Sequence, residues 1–220
     1  MREIPLFPLN TVLFPGVPLH LFIFEDRYKL MLRNALTDDG LLGIVLIHQG
    51  LEALGPLPEP YRVGTLARIT EQEILPDGCM NVTVVGLDRF RILSITTDTL
   101  PYLTAIVETY PFGTPHLLQV HRQARQLAVN LLHYLKEINP KEFYAANLKE
   151  LNPPEDPMSL VFLAAALLQI PPHEKQPILE AESISEMMVM VERLYRRENG
   201  LMRTINAAGD LPARRAAWLN

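Results

Sequence analysis

Ile4-Pro5-Leu6-Phe7-Pro8-Leu9-Asn10-Thr11-Val12-Leu13-Phe14-Pro15-Gly16-Val17-Pro18-Leu19-His20-Leu21-Phe22-Ile23-Phe24 contains no charged side chain. It is long enough to suggest a membrane span, but prolines at 5, 8, 15 and 18 each lack a backbone N–H and rule out a continuous apolar helix. What remains are short apolar runs divided by turn residues. Phe14-Pro15-Gly16 puts proline at the first corner and glycine at the second, the pattern of a type II turn. The stretch therefore reads as β structure.

The reading extends outward from there. Glu3–Phe7, Leu19–Phe24, Leu41–His48, Arg62–Leu75, Met80–Val85, Phe90–Thr96 and Leu103–Tyr110 are short and rich in Val, Ile, Leu, Phe and Thr, as strands are. Pro76-Asp77-Gly78 predicts a hairpin turn between two of them. One helix interrupts the strands. Tyr28, Met31, Leu32, Ala35 and Leu36 recur at spacings of three and four after the acidic Glu25-Asp26.

The pattern changes after Pro115. Leu117, Val120, Ala124, Leu127, Leu131, Tyr134 and Ile138 form the apolar stripe of a long helix that ends at Asn139-Pro140. Asp156-Pro157 caps a second, apolar helix over Met158 to Ile170, a stretch too short to span a membrane and closed by prolines at both ends. A third covers Glu174 to Ala181, and Ser183-Ile184-Ser185-Glu186 opens a fourth that Asn199-Gly200 is expected to end. The fold class is α+β, with a β-rich part over 1–114, a helical bundle over 116–199 and a tail over 200–220.

The chain has 220 residues, 48% of them hydrophobic and 20% charged, which is enough apolar matter for a sizeable core. Its net charge of −5 is uneven: residues 1–192 hold 14 Lys+Arg against 23 Asp+Glu, whereas 193–220 hold 6 against 2. An acidic body is a poor surface for a phosphate backbone, so nucleic acid is not the expected partner. The N-terminus lacks a basic segment followed by an unbroken apolar run, and the single cysteine, Cys79, has no intrachain partner. A cytoplasmic protein with no membrane partner is expected.

Several motifs together resemble one family. Ile4-Pro5-Leu6-Phe7-Pro8-Leu9, Val12-Leu13-Phe14-Pro15-Gly16 and Pro18-Leu19 resemble the opening of the Lon protease N-terminal, substrate-binding domain, and Phe24-Glu25 with Arg27-Tyr28 resembles its next helix entry. Val63-Gly64-Thr65-Leu66-Ala67, Asp77-Gly78, and Val84-Val85-Gly86 with Arg89-Phe90-Arg91-Ile92 follow in the family's order. Leu168-Gln169-Ile170, Glu174-Lys175-Gln176 and Leu179-Glu180 extend the resemblance into the helices, so that it covers roughly residues 2 to 199. The resemblance implies a PUA-like β pseudo-barrel joined to a helical bundle. It also implies a stand-alone domain that binds unfolded or tagged protein segments without the ATPase and peptidase parts, and it leaves assembly into a homo-oligomer open.

Sites for chemistry are scarce. No Gly-Lys pair occurs, so the phosphate-binding loop that requires one is absent. The four serines, Ser94, Ser159, Ser183 and Ser185, fall in strands or at helix starts. The six histidines show no metal-ligand spacing, and neither a metal, a cofactor nor a catalytic residue is expected. Glu71 and Glu73 alternate along one strand and read as a solvated face. Cys79 reads as an ordinary thiol beside a turn.

The candidates for peptide binding are Phe22, Phe24, Arg68, Arg89 and Arg91. Alternation puts Phe22 and Phe24 on one strand face with His20, opposite Leu21 and Ile23, and most of the early phenylalanines are expected in the core. Arg89 and Arg91 straddle Phe90 and share a face, with Arg68 on a neighbouring strand, where guanidinium groups hold the carboxylates of a peptide or of the body itself. A non-catalytic peptide-binding domain is the leading reading, with an RNA-binding PUA-like module and an unrecognised hydrolase as alternatives.

Overall fold

The computed structural model describes residues 1–113, 117–138 and 153–208. The strands are β1 (Arg2–Leu9), β2 (Pro18–Ile23), β3 (Leu41–Gln49), β4 (Glu59–Pro60), β5 (Val63–Ile74), β6 (Met80–Thr96) and β7 (Thr104–Thr109). The helices are α1 (Asp26–Thr37), α2 (Leu117–Ile138), α3 (Pro157–Leu167), α4 (Pro172–Glu180) and α5 (Ile184–Ala208). The end of the long helix expected at Asn139-Pro140 lies outside the described residues. No described helix is long and apolar enough to cross a membrane.

Strand pairing runs in a circuit. β1 pairs with β7, β7 with β6, β6 with β5 and β5 with β3, all antiparallel, and β3 returns to β1 in parallel. Every residue from Leu41 to Ile47 on β3 is buried, as the unbroken apolar run Leu-Leu-Gly-Ile-Val-Leu-Ile requires of a strand covered on both faces. β1 is sandwiched likewise. Its Ile4 and Leu6 enter one core cluster with Val45, Phe90, Ile92, Leu103, Ala105 and Val107, while Phe7 and Leu9 enter a second beneath α1 with Tyr28, Met31 and Leu32.

β6 is one strand where the sequence suggests two segments, Met80–Val85 and Phe90–Thr96. Gly86, which looks like a break, is instead a point of close backbone approach. Its carbonyl accepts from Gly16 N at 2.8 Å, its N–H donates to Val17 O at 3.1 Å, and a Cβ there would lie 2.5 Å from Phe14 O. The Phe14-Pro15-Gly16 turn is thus tied to the middle of β6. It closes through Val17 N to Phe14 O at 3.2 Å, with Gly16 at a φ of 76°. The continuous β6 lets its first half pair with β2 and its second half with β7 along the same edge.

The chain forms two compact units, Met1–Thr114 with Ala165–Ser183, and Pro115–Ala164 with Ile184–Asn220. Residues 116–199 therefore do not all group as a single helical bundle. In the first unit, Gln176 Nε2 on α4 donates to Val63 O at 3.0 Å, Tyr110 Oη donates to Glu180 O at 3.0 Å, and Gly113 N donates to Glu182 O at 3.2 Å. These long-range bonds have no periodic trace in sequence. α4 needs them, because Pro177 sits inside its nine residues and removes a rung of the helix ladder.

In the second unit, Val120, Ala124, Leu127, Leu131 and Tyr134 are buried on α2, and Met187, Met188, Val191 and Tyr195 are buried on α5. The two tyrosine rings meet edge to face at 5.1 Å, and Tyr195 Oη donates to Ala164 O at 2.7 Å. Asp156 caps α3, its carboxylate accepting from Ser159 N at 2.8 Å and from the Ser159 hydroxyl at 2.7 Å. α5 does not stop at Asn199-Gly200 as the sequence suggests but continues to Ala208. Asn199 is buried and turns its amide towards Asn130 O at 3.5 Å, and Gly200 is not among the glycines with positive φ that end helices.

Lys175 on α4 gives a pH-dependent prediction for the first unit. Its Nζ donates to Ala166 O at 2.8 Å near the end of α3, and burial pushes the ammonium from 10.5 down to about 8. Between those two values the unfolded chain keeps a proton that the folded chain releases, so this group makes stability rise with pH across the window. Below about pH 8 the buried charge is a standing cost. Lys175→Met is expected to raise stability at pH 7 by about 1–3 kcal/mol and to remove the rise between pH 8 and 10.5, as read by urea unfolding across that range.

Candidate functional site

β2, the first half of β6 and the second half of β5 form a three-stranded arm with two unlike faces. Leu19, Leu21 and Ile23 of β2 oppose Val84, Val82 and Met80 of β6 and turn inward. His20 and Phe22 oppose Thr83 and Asn81, which in turn oppose Glu71 and Glu73 of β5. Two rows therefore cross the outer face, His20-Thr83-Glu71 and Phe22-Asn81-Glu73. Cross-strand neighbours sit close enough to interact, and these do. Thr83 Oγ1 donates to Glu71 Oε2 at 3.2 Å, Asn81 Nδ2 donates to Glu73 Oε2 at 3.1 Å, and His20 Nδ1 lies 3.1 Å from Thr83 Oγ1. Because the Thr83 proton is directed to Glu71, His20 Nδ1 is the donor in that contact.

Phe22 and Phe24 are 55% and 43% exposed, with their rings stacked at 6.2 Å and 30°. Exposing two large aromatics side by side forfeits several kcal/mol of burial, on the order of 1.5–3 kcal/mol for each ring fully covered. Phe7 and Phe14 are buried, so the core expectation holds for those two and not for this pair. Both exposed rings border a pocket of about 210 Å3, which the buried Phe7, Leu9, Ile23 and Tyr28 also line. Phe7 and Tyr28 pack there with ring centroids 4.5 Å apart.

The polar groups at the pocket are few. Tyr28 is 3% exposed and its hydroxyl makes no hydrogen bond. Burial, more than the neighbouring Arg27 offsets, raises that hydroxyl's pKa and keeps it a neutral donor. His20, Glu25 and Glu52 are the other polar side chains of the lining. Arg27 lies 2.9 Å from the Glu25 carboxylate and donates to Gly55 O at 3.0 Å, whereas Glu52 accepts only a neutral donor, Asn10 N, at 2.7 Å. β2 pairs with β6 along one edge, and among the described residues no strand pairs with its other edge.

The three candidate arginines lie elsewhere. Arg89 is not a surface group. It is 4% exposed, and its Nη1 donates to Leu179 O and Ala181 O, both at 2.7 Å, while its guanidinium covers the rings of Phe112 at 3.6 Å and Tyr110 at 4.7 Å. Burial pulls its pKa down to about 10, still protonated at neutral pH. It holds the carbonyl end of α4, and among the described residues no acid pairs with it. Arg91 is exposed and also lies over the Tyr110 ring, at 4.3 Å, so the two arginines share a face as alternation requires. Arg68 is exposed and reaches Asp39 O at 3.3 Å.

Arg89 is eight residues along β6 from Asn81, the partner of Phe22, which is roughly 26 Å at strand rise. The structure brings together Phe22 and Phe24 and separates them from Arg89 and Arg91. Tyr28 and Glu52 belong to the pocket without any signal in sequence, because one reads as a helix stripe residue and the other as a loop acid. Among the described residues no group of three or more His, Cys, Asp or Glu is placed to hold a metal ion.

The comparisons with known proteins agree on one family. The family model for the ATP-dependent protease La (LON) substrate-binding domain matches residues 3–197. Lon protease 2 of Myxococcus xanthus is 28% identical over 208 residues, 93% of this chain and 25% of that protein. Lon protease 1 of Thermus thermophilus is 31% identical over 201 residues, 89% of this chain and 25% of that protein. The chain thus spans about a quarter of the length of the curated relatives it matches. The solved N-terminal domain of Mycobacterium avium complex Lon protease aligns with a TM-score of 0.68 at 17% identity, covering 89% of this chain and 98% of that one. A Lon N-terminal domain protein from Xanthomonas campestris aligns with a TM-score of 0.57 at 20% identity, covering 87% and 97%. With the family model matched from residue 3 to residue 197 and the same fold in both solved domains, this chain belongs to the Lon protease substrate-binding domain family.

Proposed function

We propose that the chain is a non-catalytic protein-binding domain that takes an apolar segment of an unfolded polypeptide at the pocket beside β2. The observation that carries this reading is the exposed, stacked Phe22 and Phe24 at a pocket that the buried Phe7, Leu9, Ile23 and Tyr28 also line. Pockets of that kind bind through a few large side chains, and aromatic rings are the usual anchors. The Tyr28 hydroxyl, buried and unpaired on the wall, supplies a donor for a carbonyl of the bound segment. The family membership supports the same class of partner. RNA is disfavoured on this face, because its charged groups are Glu71 and Glu73.

The test is a titration of a fluorescently labelled, permanently unfolded polypeptide, read by anisotropy. Replacing both rings, Phe22→Ala with Phe24→Ala, is expected to weaken binding about tenfold or more, at a cost of about 1–2 kcal/mol per ring. The thermal midpoint should hardly move, since both rings are exposed. An unchanged affinity in the double variant, or no saturable binding by the parent, sinks the proposal.

A further inference from the structure

The acids around the aromatic pair narrow the kind of segment that fits. Glu71, Glu73 and Glu52 each accept a hydrogen bond from a neutral group, namely the Thr83 hydroxyl, the Asn81 amide and the Asn10 N–H. Among the described residues no Lys or Arg pairs with any of the three. Other carboxylates nearby do find cations, as Glu25 of the same pocket does with Arg27 and Asp26 with Lys29. The neutral donors orient the three carboxylates without neutralising their charge.

Glu73 lies two strands from Phe22 in the same row, roughly 10 Å at sheet spacing, and Glu52 lines the pocket itself. Within that distance salt screening is incomplete, so the acids act together on whatever covers the rings. A guanidinium or ammonium laid over Phe22 meets a π face below and a carboxylate ahead, two attractions that an acidic or neutral side chain lacks. The buried, unpaired Tyr28 hydroxyl independently marks the adjacent pocket as a place for a ligand group.

Resting on the peptide-binding reading, we infer that the segment taken here is cationic. It carries a large apolar side chain for the pocket and, within about three or four extended residues of it, a Lys or Arg that covers Phe22 and points to Glu71 and Glu73.

The test uses two labelled, unstructured peptides with the same aromatic and aliphatic residues, one with three arginines and one with glutamines in their place. The full chain is expected to bind the arginine peptide roughly tenfold more tightly at low salt, and that advantage should shrink towards nothing at about 1 M salt. The triple variant Glu52→Gln, Glu71→Gln, Glu73→Gln keeps an acceptor at each position and should lose the preference, the two peptides binding it alike. Equal binding of both peptides, weakened alike by Phe22→Ala with Phe24→Ala, would overturn the cationic inference and leave the peptide-binding reading standing. So would a preference that survives the triple variant. If neither peptide binds the parent, both fall.

Discussion

Arg89→Ala is expected to be the most destabilising truncation of a charged side chain in the first unit, lowering its stability by about 3–5 kcal/mol in urea unfolding. The guanidinium links the second half of β6 to the end of α4 through Leu179 O and Ala181 O, and it fills the space above Phe112 and Tyr110. Truncation removes a cation from two aromatic faces and leaves two carbonyls inside without a donor, each worth about 1–3 kcal/mol when orphaned. α4 has little to hold it otherwise, since Pro177 interrupts its nine residues. Arg89→Lys should recover only part of the loss. An ammonium can donate to both carbonyls, as Nη1 alone does, but it lacks the flat guanidinium face that covers the Phe112 and Tyr110 rings. A loss below about 1 kcal/mol for Arg89→Ala would show that α4 is held without it. Binding at the Phe22 and Phe24 pocket should persist in the folded fraction, because Arg89 is eight residues along β6 from Asn81, the partner of Phe22.

Gly64→Ala is the second. A Cβ at Gly64 would stand 2.5 Å from Ile44 O, 2.6 Å from a Val45 methyl and 2.8 Å from the tip of Phe90. The first of these is backbone of the paired strand β3, so relief requires β3 and β5 to part where the strand circuit closes. One added methyl should cost about 2–4 kcal/mol by overpacking, read as a fall in the urea midpoint with little change of slope. Gly200→Ala is the internal comparison, since it adds the same atom in a helix with nothing within 4 Å. It should stabilise by about 0.5–1 kcal/mol through helix propensity. Similar outcomes at both positions would refute the close-approach account of Gly64.

Some of the candidate site was legible before the structure. Alternation along 19–24 put Phe22 and Phe24 on one face with His20, and it put Glu71 and Glu73 together on another strand, because side-chain direction in a strand is a local property. Whether that face was covered was not local. Phe7, Phe14, Phe22 and Phe24 look alike in sequence, and only the placement of α1 and the strand pairing buries the first two and exposes the others. The rows His20-Thr83-Glu71 and Phe22-Asn81-Glu73 depend on register between strands far apart in the chain. Arg89 was misplaced for the same reason. Its partners are about ninety residues away, on a helix whose docking has no periodic signature.

The sequence by itself determined the α+β class, the turn at Phe14-Pro15-Gly16, the stripe of α2, the Asp156 cap and the family, because turn chemistry, periodicity and ordered motifs are written in neighbouring residues. Tertiary structure alone decided that Gly86 joins two segments into β6 and that Gly200 passes through α5. It alone turned Arg89 inward and left Phe22 and Phe24 exposed above their pocket. A glycine, an arginine or a phenylalanine takes its role from what packs against it, and burial and strand register are set by residues distant in the chain.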